Sequence, residues 1–427
     1  MTTMGSLQEV RIQPKNVEDY IDIVGKDKID ELKNIAQKLK NKRILNINAT
    51  AYGGGVAELL KTQVGIMLNL GLNVDWYVMT APQEFYGVTK LFHNTLQGNP
   101  QILTEEEKEI YLETVKKNAE SLEKNYDIIL VHDPQPLAMI DFVKNSSAKW
   151  IWRCHIDTSE KNQYTWDFLY PYMKNYHAVI FTLDEFVPDD ADFNNLTFIP
   201  PSIDPLSPKN NEMSVEEVNN LVYSYNIDPD RPLITQVSRF DPWKDPLGVI
   251  EVYRNIKYLQ PTKTRACESL QLALIGGMAN DDPEGWTIYD RVLRRAGEDF
   301  DLNIYTNFHN IGDVGVKAFQ YASDIILQKS LKEGFGLTVS EGLWKAKPVI
   351  GGHVGGIKIQ IKDGENGFLV SNIQEATEKT KYLLEHPDEA KKMGEKGKEI
   401  VRNNFLSTRE IEDHLKLFNK VLEGFGE

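Results

Sequence analysis

The chain is poor in sulfur, in histidine and in positive charge. Its 427 residues include only two cysteines, Cys154 and Cys267, far apart in sequence. Such a pair makes neither a disulfide framework nor a zinc pattern, which points to a reducing, cytoplasmic setting. The eight histidines are scattered, with no His-x-x-x-His or His-x-His pair, so no metal site is expected. Lys and Arg number 48 against 63 Asp and Glu, a net charge of -15, which argues against a nucleic-acid binder with a basic face. No apolar run reaches the roughly 18 residues of a membrane span, and Met1-Thr-Thr-Met-Gly-Ser6 lacks the apolar core of a signal peptide. What remains is an ordinary globular composition, 41% hydrophobic and 26% charged, over a length that favours two or more domains.

Strand and helix patterns alternate along most of the chain. Residues 16–42 carry Ile, Leu and Val at helical spacing and predict an amphipathic helix. Apolar runs at 43–48, 73–79, 127–131, 150–154, 178–181 and 196–199 read as strands, with helical segments between most of them. Pro200-Pro-Ser-Ile-Asp-Pro-Leu-Ser-Pro208 carries four prolines and reads as a linker. The alternation then restarts, with strands at 233–237, 271–275, 303–305, 324–327 and 348–350, and the tail from 374 is mostly helical. The expected fold is α/β: two doubly wound Rossmann-like domains, 1–205 and 206–427, facing a cleft. The last helix, about 405–427, is expected to pack back on the first domain. Ligands of such sheets sit at the carboxyl ends of the strands.

Two stretches carry the most chemistry. Glu333-Gly-Phe-Gly-Leu-Thr-Val-Ser-Glu341 sets two glutamates around a turn that leads into a helix, and Gly351-Gly-His-Val-Gly-Gly356 follows an apolar strand. Amides and a helix amino end suit phosphate, and carboxylates accept from sugar hydroxyls. Thr338 and Glu341 also fit a capping box, so Glu341 has a structural reading beside the ligand one, while Glu333 has none. Ser238-Arg-Phe-Asp-Pro-Trp-Lys-Asp-Pro246 places Arg239 and Lys244 directly after a strand, Arg239 suited to bidentate phosphate contact and Lys244 to a point charge. Gly53-Gly-Gly55 joins a strand to a helix, either as a tight turn or as a loop whose amides approach a ligand. His132, Asp133 and Gln135 end another strand. There Asp133 either caps a helix opened by Pro134 or binds a sugar hydroxyl. Arg153-Cys-His-Ile-Asp157 ends a third strand and puts His155 at the same edge. There is no serine-hydrolase elbow, kinase signature or Gly-x-x-x-x-Gly-Lys-Ser/Thr loop, and Glu333 with Glu341 does not look like a glycosidase pair.

In combination, these motifs resemble the retaining glycosyltransferases of the glycogen-synthase/sucrose-synthase type, which have the two-domain GT-B fold. Within them the chain most resembles the trehalose synthases, which join a nucleotide-activated glucose to free glucose. The resemblance implies that Arg239 and Lys244 bind the donor diphosphate and that Glu333 contacts the donor glucose. It implies that Phe335, Gly336, Leu337 and Thr338 offer amides to phosphate and sugar, and that Glu341 holds the ribose. Gly54 and Gly55 would approach the phosphate, His155 would sit by the transferred glucose, and Asp133, with His132 and Gln135, would hold the acceptor. Relatives often carry a basic residue where this chain has Gly352 or His353.

The expected reaction is reversible transfer of an α-glucosyl group from a nucleoside diphosphate glucose to glucose, with retention, giving an α,α-linked disaccharide and a nucleoside diphosphate. No cofactor is tightly bound, although Mg2+ would accompany the nucleotide. No carboxylate is placed as a covalent nucleophile, so attack on the front face is favoured. A homodimer is also expected. The alternatives left open are a trehalose phosphorylase of the same fold and a transferase with another acceptor, making sucrose or a glycan. A sugar-nucleotide epimerase and a non-catalytic sugar-binding protein are more remote.

Overall fold

The computed structural model describes residues 5–52, 54–123, 125–144, 146–259, 264–278 and 283–425. The chain divides into two compact units, Met1–Ser202 with Ser407–Glu427, and Ile203–Leu406.

The first unit is built on a seven-stranded sheet of order β1-β3-β2-β4-β5-β6-β7. Its strands are β1 (Gln8–Glu9), β2 (Arg43–Asn48), β3 (Asn73–Val78), β4 (Ile128–His132), β5 (Lys149–Arg153), β6 (Ala178–Phe181) and β7 (Leu196–Phe198). All pairings are parallel except that of the short edge strand β1 with β3. Strands β4 and β6 are buried along their whole length. That is why they read as continuous apolar runs rather than alternating ones: helices cover both faces of a parallel sheet. The final helix Ser407–Glu423 belongs to this unit, and its Ile411, Leu415, Phe418 and Val421 join the same core as Tyr20, Ile29 and Leu32. Each such side chain removed from water contributes about 1.5–3 kcal/mol.

The second unit holds a six-stranded, all-parallel sheet of order β10-β9-β8-β11-β12-β13. Its strands are β8 (Leu233–Val237), β9 (Gln271–Gly276), β10 (Leu302–Thr306), β11 (Ile325–Gln328), β12 (Val349–Gly352) and β13 (Gly367–Val370). From β8 the chain winds outward through β9 to β10, then returns to lay β11 on the other side of β8. The carboxyl ends of β8 and β11 therefore flank the topological switch point, where such sheets bind ligands.

Two expectations need correction, and two strands are added. The helix expected over 16–42 is broken: Gly25, at φ 90°, separates Ile21–Val24 from Lys26–Gln37. The proline-rich segment is not a free linker. Arg409 Nη2 donates to Pro200 O (2.8 Å), and Ile203 N donates to Phe405 O (2.9 Å), so backbone groups that proline cannot pair locally are satisfied at distant positions. The edge strands β1 and β13, of two and four residues, are additions to the expected set.

Candidate functional site

In the second unit, β8 ends at Val237 and the chain turns through Arg239 and a 3-10 turn, Pro242–Lys244, into the helix Pro246–Arg254. Asp245 makes that abrupt entry possible. It sits in the left-handed region (φ 49°) and caps the helix, its Oδ1 accepting from Gly248 N at 3.0 Å. The turn aims Lys244 toward the loop after β11, where its Nζ lies 2.6 Å from Glu333 Oε2. The two side chains are 18% and 10% exposed, so the pair is sheltered but reachable. Gln236 Nε2 fixes the Lys244 carbonyl (2.7 Å), and Ser330 Oγ donates to Glu333 Oε2 (3.2 Å). Lys329, which the sequence pattern did not single out, pairs with Asp245. Arg239 is different: 61% exposed, with Asp241 Oδ2 3.4 Å away, it stands at the surface of the turn.

The loop after Glu333 does what its glycines suggest. Gly336 has φ 81°, where any other residue is strained, and a Cβ there would crowd Glu333 Cγ at 3.1 Å. Gly336 is also the position that opens the helix Leu337–Trp344, with no side-chain cap. The capping box expected from Thr338 and Glu341 does not form, because the helix starts one residue before Thr338. The leading amides of Leu337 and Thr338 are among those a helix leaves without internal partners. The second glycine loop is tied to this one: Gly356 N donates to Gly334 O (3.1 Å), and a Cβ at Gly356 would meet Phe335 Cα at 2.5 Å. Buried Gln360 locks both loops, its Nε2 donating to Phe335 O (2.6 Å) and Gly356 O (3.0 Å).

Glu341 lies one turn into the helix and is only 2% exposed. Its oxygens face Gln320 Nε2 (3.1 Å) and Lys209 Nζ (3.4 Å). Neighbouring Lys345 is lowered to about 8 by burial, with Glu341 opposing the shift. Glu341 therefore stands apart from the Lys244–Glu333 pair, as a buried carboxylate among cations.

In the first unit, the carboxyl ends of β4 and β5 bring His132, Asp133 and His155 together. Asp133 is in the left-handed region (φ 62°), a strained conformation held by three bonds. Its N donates to Arg153 O (2.9 Å), its carbonyl accepts from Trp152 Nε1 (2.9 Å), and its Oδ1 accepts from His155 N (2.9 Å). Burial raises its carboxyl to about 6, against the opposing pull of the His155 amide and the Arg153 guanidinium. It caps no helix, since the next one begins at Met139. A strained carboxylate with a raised pKa at a strand end makes Asp133 a candidate functional residue. Half-buried Gln135 lies in the following turn.

His132 was expected to touch the acceptor, but both its ring nitrogens are engaged: Nδ1 with His155 Nε2 (3.1 Å) and Nε2 with Asn46 Oδ1 (3.3 Å). Burial, then the Arg153 charge, pushes both histidines well below their usual value. Arg153 itself is structural. It is 1% exposed, its Nη2 lies 2.7 Å from Glu410 Oε1 as a charge contact, and Nη1 meets His414 Nε2 at 2.7 Å. Both partners come from the helix Ser407–Glu423, which no local pattern near Arg153 could reveal.

Gly54 and Gly55, at the start of the helix Gly55–Asn69, are exposed. Gly54 has an extended φ (-154°) and open space where a Cβ would stand, so the fold does not itself demand glycine there. Gly53 lies outside the described residues. Beside this loop, a hollow of about 480 Å³ opens at the carboxyl ends of β2 and β3, lined by Gln8, Thr50, Tyr52, Thr80 and Tyr86 among others.

Residues 46–188 match the family described as trehalose synthase, N-terminal domain, and residues 219–400 match glycosyl transferases group 1. A trehalose synthase of Pyrococcus horikoshii is 46% identical over 98% of this chain and 99% of its own. One from Rubrobacter xylanophilus is 45% identical, over 97% and 99%. Trehalose phosphorylases are more distant: that of Pleurotus pulmonarius is 27% identical, across 83% of this chain and 54% of its own. Among solved structures, a UDP-forming trehalose-phosphate synthase from Burkholderia xenovorans superposes with a TM-score of 0.68 over 89% of this chain and 99% of its own, at 15% identity, a likeness of fold. The expected GT-B architecture is the one observed, and the chain belongs to the trehalose synthase family of glycosyltransferases.

Proposed function

We propose that this chain transfers glucose from a nucleoside diphosphate glucose to free glucose, with retention, forming trehalose. The observation that carries the reading is the Lys244–Glu333 pair at the switch point between β8 and β11, beside the amino end of the helix Leu337–Trp344. Transfer breaks the bond between glucose C1 and the diphosphate oxygen. The electron pair leaves with the diphosphate, and negative charge builds there. Lys244, Arg239 and the leading amides of the helix are suited to stabilise that charge. Glu333, held by Lys244 and Ser330, accepts from hydroxyls of the glucose being transferred. Its charge also favours the positive character that develops at C1. The acceptor hydroxyl attacks from the face the diphosphate leaves, and its proton passes to a departing phosphate oxygen. Asp133 and Gln135 are the acceptor-binding candidates, and His155 the contact for the transferred sugar. Mg2+ enters as part of the nucleotide substrate.

The test is a matrix of nucleoside diphosphate glucoses and glucose 1-phosphate against glucose, fructose and glucose 6-phosphate, with products identified by NMR. Trehalose from a nucleotide donor and glucose is expected. Turnover only with glucose 1-phosphate would favour the phosphorylase reading, which the low identity and partial coverage of the phosphorylases disfavour. Light scattering in solution tests the expected homodimer.

A further inference from the structure

A buried row of polar atoms runs behind the sugar-side residues of the first unit. Asn46, from β2, meets His132, from the end of β4, at 3.3 Å, and His132 meets His155, beyond β5, at 3.1 Å. The two imidazoles lie nearly parallel, with centroids 5.4 Å apart and 17° between planes. Neither Asn46 nor His132 reaches solvent appreciably, whereas His155 is half-buried. The row therefore has a closed end and an open end.

A neutral imidazole has one N–H and one lone pair, so fixing one end of the row orders all of it. Asn46 presents its side-chain oxygen to His132 Nε2. That oxygen can only accept, so His132 carries its proton on Nε2. His132 Nδ1 is then bare and can only accept, so His155 must carry its proton on Nε2. What is left on His155 is a bare Nδ1. The charged alternatives are unfavourable, since burial and the Arg153 guanidinium both oppose a protonated ring at either position.

We propose that His132 is a positioning residue: through its bond to Asn46 it holds His155 in the Nε2–H tautomer, so that His155 offers Nδ1 as an acceptor for a hydroxyl of the transferred sugar. The proposal rests on the reading of His155 as a sugar contact and adds what sets its ring. A ring free to exchange tautomers would spend part of its time presenting an N–H in place of the lone pair, and the sugar hydroxyl, which can donate or accept, would have no single orientation. Partners that orient a metal-ligating histidine through its other ring nitrogen change activity by about 10- to 100-fold when removed, and the same scale is expected for a sugar-contacting one.

The experiment uses the full chain labelled with 15N in its histidine rings, read by long-range 15N–1H correlation and assigned with His132→Gln and His155→Gln. In the unsubstituted protein, His155 Nδ1 is expected to resonate as an unprotonated nitrogen and Nε2 as an N–H. His132→Phe should mix the two forms and lower kcat by about 10- to 100-fold, with the donor KM within about twofold. His132→Gln, which can still accept from His155, should recover part of that loss. A proton on His155 Nδ1 in the unsubstituted protein, the result if Asn46 turned its amide N–H toward His132, overturns the proposal. So does an unchanged kcat in His132→Phe, or an equal loss in the Gln and Phe variants. If His132→Phe does not fold, the unsubstituted spectrum and His132→Gln decide the matter. If no disaccharide forms under any condition, the functional reading fails, while the ring spectrum still reports on the tautomer.

Discussion

The two units are built alike and yet prepare their strand ends for different chemistry. In the second unit the carboxyl ends of β8 and β11 gather full charges: Lys244 with Glu333, sheltered but within reach of solvent, and the buried Lys329 with Asp245. In the first unit the ends of β4 and β5 suppress charge. His132 and His155 are pushed toward the neutral form, Asp133 is raised to about 6, and the full charge nearby, Arg153, is turned inward to Glu410. A diphosphate calls for fixed charge and amides, whereas a sugar calls for directional hydrogen bonds from neutral or weakly charged groups. Charge removal should therefore harm turnover in the second unit and folding in the first.

The sharpest test of that contrast is Lys244→Ala. It should lower kcat by about 10²- to 10³-fold, the scale of losing one charge-stabilising group, with a small change in thermal midpoint. Steady-state kinetics and calorimetry on the same preparation check it, and full turnover would break the comparison. Glu410→Ala is the first unit's counterpart. It leaves Arg153 buried without its carboxylate and should cost about 3–5 kcal/mol in denaturant unfolding. A loss below about 1 kcal/mol would mean that the Arg153 charge is balanced elsewhere.

A smaller effect is expected from Gln360→Ala. The carbonyls of Phe335 and Gly356 lose a shared donor, at about 1–3 kcal/mol, and the donor KM should rise while kcat holds. If KM stays put, the two glycine loops do not act on the donor together. The smallest effect concerns pH. The folded carboxyl of Asp133 is raised above its usual range, so ionising it works against the fold. Its contribution is full below about pH 4 and is lost as pH rises through about 6. Asp133→Asn removes that titration, and asparagine also tolerates a positive φ. The variant's thermal midpoint should therefore gain on the parent's between about pH 4 and 7. A constant offset would show that Asp133 does not titrate there.

Much of this was legible in the chain because it is local. Strands such as β4 and β6 announce themselves as apolar runs, and the Glu333 loop and the Arg239–Pro246 turn keep all their informative residues within nine positions. The places where local pattern and structure differ share a cause. Thr338 with Glu341 satisfied a local capping pattern, yet Gln320 and Lys209 claim the carboxylate. Asp133 before Pro134 looked like a cap, yet His155 and Arg153 hold it in a strained turn. Asn46 and Gln360 carry no pattern of their own and matter only through residues 86 and 25 positions away.

The sequence by itself determined the alternation of strands and helices, the glycine loops and the placing of the key side chains at strand ends, since each follows from hydrophobic period and backbone freedom over a few residues. Tertiary structure alone decided which charges became partners and which were buried. It joined Lys244 to Glu333, Arg153 to Glu410 and His132 to His155, because burial makes an unpaired polar group costly and the available partner is set by the winding of the sheet, not by nearness along the chain.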